Sequence, residues 1–267
     1  MAADHTVIVQ LTDLHLGDVD ERPYGTDTAE NVRRVAAVVQ GMNLNPDAVI
    51  LTGDLSDRGT PQSYEVLRKL VGDVLEPLGA PVFAVVGNHD HRGTFRGVYL
   101  GEGDGDDAAP YYQAADVGGV RLLMCDSYLA GNVTGLLGDE QLQWIDAELR
   151  EAGDRPCVIG LHHPSIPRGV PRANDYLLED RAALREIILE RKPVAVLCGH
   201  SHVSSTSTIG QTLHAAAPAT AYLLDPSKRT GARAYRGSGF AICTVRDEGV
   251  IVNPYFLPSD GDDIYVH

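Results

Sequence analysis

Long apolar runs are missing from this chain. No stretch approaches the ~18 uninterrupted apolar residues that a membrane span requires, so a membrane protein of the helical kind is not expected. The first residues, Met1-Ala2-Ala3-Asp4-His5, hold no basic stretch and lead directly into a strand-like run. A secretory leader is therefore not expected, and the chain is read as cytoplasmic. Basic residues are scarce as well: 22 Lys and Arg face 37 Asp and Glu, for a net charge of −15. That balance argues against a broad cationic face for polymeric nucleic acid. It leaves room for a small anionic substrate, because bound cations invert the local sign of charge. Cysteine is sparse. Cys125, Cys157, Cys198 and Cys243 lie in or beside apolar runs without CxxC spacing, which predicts buried, reduced thiols rather than a disulfide framework. No GxSxG elbow follows any strand-like run, so a Ser-His-Asp hydrolase has no sequence support.

What is present alternates. Val7–Thr12, Ala48–Thr52 and Pro81–Val86 are short apolar runs, and helical periodicity separates them over 27–42 and 61–75. Such a β-α-β-α-β order predicts parallel strands covered by helices. Further along, strands are predicted at 111–115, 120–125, 158–161 and 193–198, and helices at 139–151 and 179–191. The glycine-rich acidic stretch Gly101–Asp107 reads as a surface loop and fails the calcium-loop pattern. The tail loses helical periodicity, and 203–209, 212–216, 239–245 and 250–256 read as antiparallel strands. No repeat or composition shift divides the chain. The expectation is one α/β domain over 1–267, with 203–267 as its β-rich part.

Chemistry gathers at the strand ends. Five segments each follow an apolar run: Asp13-Leu14-His15, Gly53-Asp54-Leu55-Ser56-Asp57, Gly87-Asn88-His89-Asp90, His162-His163-Pro164 and Gly199-His200-Ser201-His202. Carboxyl ends of parallel strands open onto a shared crevice, so the five should converge. Taken singly each is unremarkable, since Asp after a strand is ordinary capping chemistry and a lone histidine is more often structural. Together they hold six of the ten histidines, with His91 beside them as a seventh. Imidazoles, carboxylates and a carboxamide without thiolate suit Mn, Fe, Co or Zn. The donors are too many for one ion, and Asp54 could bridge two through its paired oxygens.

In order, these segments resemble the D-x-H, G-D-x-x-D, G-N-H-D, strand-end His and G-H-x-H motifs of the calcineurin-like metallophosphoesterases. Tyr24-Gly25, the His162-His163-Pro164 form and the all-β tail are most similar to bacterial class III cyclic-nucleotide phosphodiesterases and the related glycerophosphodiesterases. The resemblance implies a four-layer αββα sandwich of two mixed sheets and a site for two divalent transition-metal ions. It further implies that Asp13, His15, Asp54 and His202 hold one ion, and Asp54, Asn88, His162 and His200 the other. A tyrosine stands three residues after the bridging aspartate in purple acid phosphatases; here that place is Asp57, so an iron–tyrosinate site is not expected. Ser/Thr protein phosphatases carry GNHE in place of Gly87-Asn88-His89-Asp90. The repair nucleases that share GNHD fit a small acidic domain poorly.

The implied reaction is metal-assisted hydrolysis of a small phosphodiester, a cyclic nucleotide such as cAMP foremost. His89 is the candidate general acid, and with Asn88 the candidate phosphate contact. Asp57 and His163 are expected to support the ligands from behind. Arg58, Arg92 and Arg96 could either reach substrate or decorate a charged face. Competing readings are a glycerophosphodiesterase or phosphomonoesterase on the same site, and a non-catalytic metal-binding scaffold. A homodimer paired through the tail is expected.

Overall fold

The computed structural model describes residues 5–103, 109–167, 176–225 and 234–258. In chain order the elements are β1 (His5–Leu11), α1 (Thr28–Gly41), β2 (Ala48–Thr52), α2 (Pro61–Leu70), β3 (Val82–Val85), a short α3 (Arg92–Thr94), β4 (Gln113–Val117), β5 (Val120–Met124) and α4 (Asp139–Ala152). They continue with β6 (Cys157–Gly160), α5 (Arg181–Arg191), β7 (Ala195–Cys198), β8 (Ser205–Ile209), β9 (Thr212–Ala216), β10 (Leu223–Leu224), β11 (Ala234–Tyr235), β12 (Gly237–Arg246) and β13 (Gly249–Pro258).

Two mixed sheets result, in the orders β13-β12-β1-β2-β3 and β4-β5-β6-β7-β9-β8, with β10-β11 as a separate ribbon. Alternation along the strands builds the layers. From β1, Val7, Val9 and Leu11 pack with Val32, Val35 and Val39 of α1 and Tyr64 and Leu67 of α2. From the same strand Ile8 points the other way, into a layer shared with Ile50, Leu122, Val158 and Leu197 of both sheets. On the far side Leu123, Ile159 and Val196 meet Leu142 and Ile145 of α4 and Leu184 and Ile188 of α5. This is the αββα sandwich. Gln10 is a polar residue buried between the sheets. Its Nε2 donates to Thr52 Oγ1 at 2.9 Å and to the Cys198 carbonyl at 3.0 Å, tying one sheet to the other.

Two expectations from the sequence need correction. The tail is not wholly antiparallel: after β7 the chain makes edge strand β8 and turns back, so β9 lies parallel to β7 while β8-β9 and β12-β13 are antiparallel. The first sheet is mixed in direction, as expected, because β12 returns to pair antiparallel with β1 while β1, β2 and β3 are parallel. The helix expected over 61–75 closes at Leu70 and widens into a π-type turn over Val71–Leu75. The acidic stretch Gly101–Asp107 falls partly outside the described residues, and no helix among them is long and apolar enough to cross a membrane.

Candidate metal centre

The loops after β1 and β2 stay in phase beyond their strands. The Asp13 amide donates to the Gly53 carbonyl at 3.0 Å, and the His15 amide to the Asp54 carbonyl at 2.9 Å. Across the sandwich the Gly199 amide donates to the His162 carbonyl at 3.0 Å. Three strand ends of one sheet and two of the other thereby face a common cleft. Their approach is close enough to require glycine. A Cβ on Gly199 would lie 1.8 Å from Thr12 Oγ1, and one on Gly53, at φ +89°, would lie 2.5 Å from His162 Nδ1.

Backbone strain concentrates here. Among the described residues, ten other than glycine have positive φ, and five of these are Asp13, His15, Asp54, His200 and His202. Each such residue costs on the order of 1–3 kcal/mol and persists because its surroundings over-determine it.

The donor atoms form two nests. In the first, His15 Nε2 lies 3.1 Å from His202 Nε2, and His202 Nε2 lies 3.4 Å from Asp13 Oδ1. In the second, His162 Nε2 lies 3.2 Å from Asn88 Oδ1 and 3.2 Å from His200 Nδ1. Asp54 joins them: its Oδ2 is 3.3 Å from His162 Nε2 and 3.6 Å from His15 Nε2. The opposite ring atoms are already committed. His15 Nδ1–H donates to Asp57 Oδ1 at 3.1 Å, His202 Nδ1–H to the Tyr222 carbonyl at 2.9 Å, and His162 Nδ1–H to the Thr52 carbonyl at 2.8 Å. Those bonds turn the Nε2 lone pairs inward, where they face one another and carboxylate or carboxamide oxygens. Acceptors packed against acceptors require cations between them, and this donor set fits divalent metal ions.

Protonation follows the same logic. Burial opposes ionisation of Asp54, but His162, His15 and His89 reverse it and hold the carboxyl well below the usual range. Burial would lower His162, yet the Asp54 charge lifts it to about 9. His15 is also raised: Asp57, Asp54 and Asp13 outweigh its burial. His202 goes the other way, to about 4, because burial dominates and His15 adds to it. A cation is thus favoured at both nests, whether proton or metal.

The remaining expected residues are near at hand. The His89 amide donates to Asp54 Oδ1 at 2.8 Å, and its Nδ1–H to the Asp57 carbonyl at 2.9 Å. His163 sits behind the second nest, its ring 4.6 Å from that of His200, with Nδ1 2.8 Å from Ser127 Oγ. Its Nε2 is buried without a hydrogen-bond partner, and burial together with His162 holds the ring well below its ordinary pKa. The three arginines are occupied elsewhere. Arg58 pairs with Glu21, Arg96 with Glu102, and Arg92 makes a buried two-point contact with Asp126 at 2.7 and 3.1 Å.

Sequence reasoning passed over two residues. Asp90 accepts from the amides of Leu55, Ser56 and Gly87 at 3.0, 2.9 and 2.8 Å and from Tyr64 Oη at 2.9 Å, locking the β2 and β3 loops together. Its place inside Gly87-Asn88-His89-Asp90 was a signal. Tyr222, whose ring lies 4.3 Å from that of His202, stands in an alanine-rich stretch with no pattern to mark it.

Comparison with known proteins agrees with this geometry. The chain is 32% identical over 246 residues to a probable cyclic nucleotide phosphodiesterase of Rhodococcus erythropolis, covering 91% of this chain and 81% of that protein. It is 33% identical to a cAMP/cGMP dual specificity phosphodiesterase of Mycobacterium tuberculosis, over 86% of this chain and 73% of the relative. A glycerophosphodiester phosphodiesterase of Enterobacter lignolyticus is 31% identical, over 81% of this chain and 78% of its own. Among solved structures, a dimetal phosphatase from Danio rerio superposes with a TM-score of 0.69 at 14% identity, covering 94% of this chain and 98% of that one, a likeness of fold. The calcineurin-like phosphoesterase profile matches residues 6–204, which span all five motifs, and the chain belongs to that family.

Proposed function

We propose that the chain is a two-metal phosphodiesterase whose substrate is a small phosphodiester, a cyclic nucleotide such as cAMP foremost. The observation that carries this reading is Asp54, whose Oδ2 stands between two nests of inward-facing nitrogen lone pairs at 3.3 and 3.6 Å. Asp13, His15, Asp54 and His202 would hold one divalent ion, and Asp54, Asn88, His162 and His200 the other. When bound, such a pair supplies Lewis acidity toward phosphoryl oxygen and a lowered pKa for water.

The protein's own groups do the rest. Asp57 and the carbonyls of Tyr222 and Thr52 fix the rings of His15, His202 and His162 in the tautomer that ligation needs. His89 spends Nδ1–H on the Asp57 carbonyl, which leaves Nε2 to hold a proton and deliver it to the departing alkoxide. Asn88 and His89 contact the phosphate, and His163 buttresses His200.

The relatives named for cyclic nucleotides support the diester choice, and the one named for glycerophosphodiesters supports the main alternative on the same site. Manganese or iron suits the mixed nitrogen and oxygen donors as well as zinc or cobalt. Residues 1–267 are read as one domain, because β12 from the tail lies beside β1 in the first sheet. A homodimer through β13 is supported by that strand's ten-residue length, its edge position, and Ile251 and Phe256 exposed along it. Four buried cysteines with no disulfide support a reducing, cytoplasmic setting.

The test is a panel on metal-reconstituted protein: cAMP, glycerophosphocholine, bis(p-nitrophenyl) phosphate and p-nitrophenyl phosphate. Highest kcat/KM on cAMP, with diester above monoester, is expected. Turnover of the monoester alone would replace the reading with a phosphomonoesterase, and no turnover at all with a scaffold.

A further inference from the structure

The geometry points to Tyr24 as a stacking platform for the base of a nucleotide substrate. Tyr24 lies in the turn Pro23–Gly25 with φ 54° and ψ 24°, a left-handed conformation that a residue with a β-carbon adopts at a cost. The residue is 62% exposed, and its inward contact is with buried Tyr222, with which it shares a side-chain hydrogen bond. Its ring is held in place by neighbouring rings. It stands 4.6 Å from the ring of Tyr222 and 6.3 Å from that of His15, nearly perpendicular to the latter at 89°. Tyr222 in turn lies 4.3 Å from His202 and 5.5 Å from His15.

An aromatic row therefore runs outward from the first nest. Its inner members, His15, His202 and Tyr222, are buried, and only its last ring presents a face to solvent. A nucleotide's base is carried one sugar away from its phosphate, and Tyr24 is carried one ring away from the nest. Stacking on an aromatic face is tolerant of base identity and contributes substantially to affinity. A glycerol headgroup offers no π-face to such a platform, so the row favours a nucleotide over a glycerophosphodiester.

At the other end of the cleft Tyr176 is 42% exposed and lies 6.3 Å from the ring of His200, at 88°. Among the described residues no second aromatic ring backs it, in contrast to the Tyr222 shelf behind Tyr24. It serves as the internal control.

The inference rests on the phosphodiesterase reading only for where the phosphate sits. The test is titration calorimetry of the metal-loaded full chain with adenosine 5′-monophosphate and, separately, inorganic phosphate. Tyr24→Leu should weaken nucleotide binding by about 5- to 160-fold while phosphate affinity moves less than about twofold. Tyr24→Phe and Tyr176→Leu should bind the nucleotide as the parent does, and Tyr24→Trp at least as well. Three results would overturn the assignment: parent protein binding the nucleotide no tighter than phosphate, equal losses for both ligands, or a Tyr176→Leu loss as large as that of Tyr24→Leu. Should the leucine variant fail to fold, weakened nucleotide binding by Tyr24→Trp overturns it and retained binding supports it. Turnover of cAMP in the same samples separates the two readings. Nucleotide binding through Tyr24 without hydrolysis of any diester sinks the enzymatic proposal alone, and hydrolysis of cAMP indifferent to Tyr24 sinks the platform alone.

Discussion

Asp90 holds no place in either nest, yet replacing it should damage both the fold and the site. Its two oxygens divide four donors: Oδ2 takes the Leu55 and Gly87 amides, and Oδ1 takes the Ser56 amide and Tyr64 Oη. The tyrosine hydroxyl has a second acceptor in the His91 carbonyl at 3.4 Å, so Asp90→Ala strands three buried amides. At about 1–3 kcal/mol for each unsatisfied donor, the loss lies in the range of roughly 3–9 kcal/mol, with its middle at about 6 kcal/mol. Asp90→Asn keeps an acceptor where Oδ2 stood and lets Tyr64 reverse its hydroxyl. It strands only the Ser56 amide, for roughly 1–3 kcal/mol. The assay is urea denaturation of metal-free protein at pH 7.5, reading the midpoint with the slope checked for constancy. Because Asp90 ties the loop of Asp54 to that of Asn88, the alanine variant should also bind metal more weakly although every proposed ligand remains. A loss below about 1 kcal/mol in Asp90→Ala, or equal losses in the two variants, would refute the reasoning.

Two further outcomes follow from the site's charges and rings. Metal-free protein should lose stability as pH rises from 6.5 to about 9, because His162 in the fold keeps its proton to about 9 against 6.5. That contribution is fully present below 6.5, amounts to about 3 kcal/mol, and should vanish when metal replaces the proton; thermal melts with and without chelator measure it, and a flat metal-free profile contradicts it. His89→Ala should keep both ions yet slow hydrolysis of an alkyl-leaving-group diester by ~10²–10⁴-fold, and much less for a p-nitrophenyl diester, whose leaving group needs no proton. Equal losses on the two substrates would remove His89 from the acid role.

Much of the site is legible in the sequence because its chemistry is local. Each motif is a polar segment directly after an apolar run, and parallel strands carry such segments to one cleft. What sequence does not display are pairings between distant segments. β12 lies beside β1 although they stand at opposite ends of the chain. Arg92 looked equally able to reach substrate, and only the fold brings Asp126 to it, with the Tyr128 ring 4.8 Å from its guanidinium carbon. Gly199 reads as a loop glycine until Thr12 is found against it. Tyr24 is marked in the sequence as part of Tyr24-Gly25, but its pairing with Tyr222 is not, since ring contacts between remote loops leave no periodicity.

The central claim is that Asp54 joins two metal sites. Elemental analysis of purified, metal-saturated protein tests it most directly. The account predicts close to two transition-metal ions per parent chain and loss of both in Asp54→Ala, whose fold is checked by circular dichroism. Two ions retained by a folded Asp54→Ala protein would contradict the account.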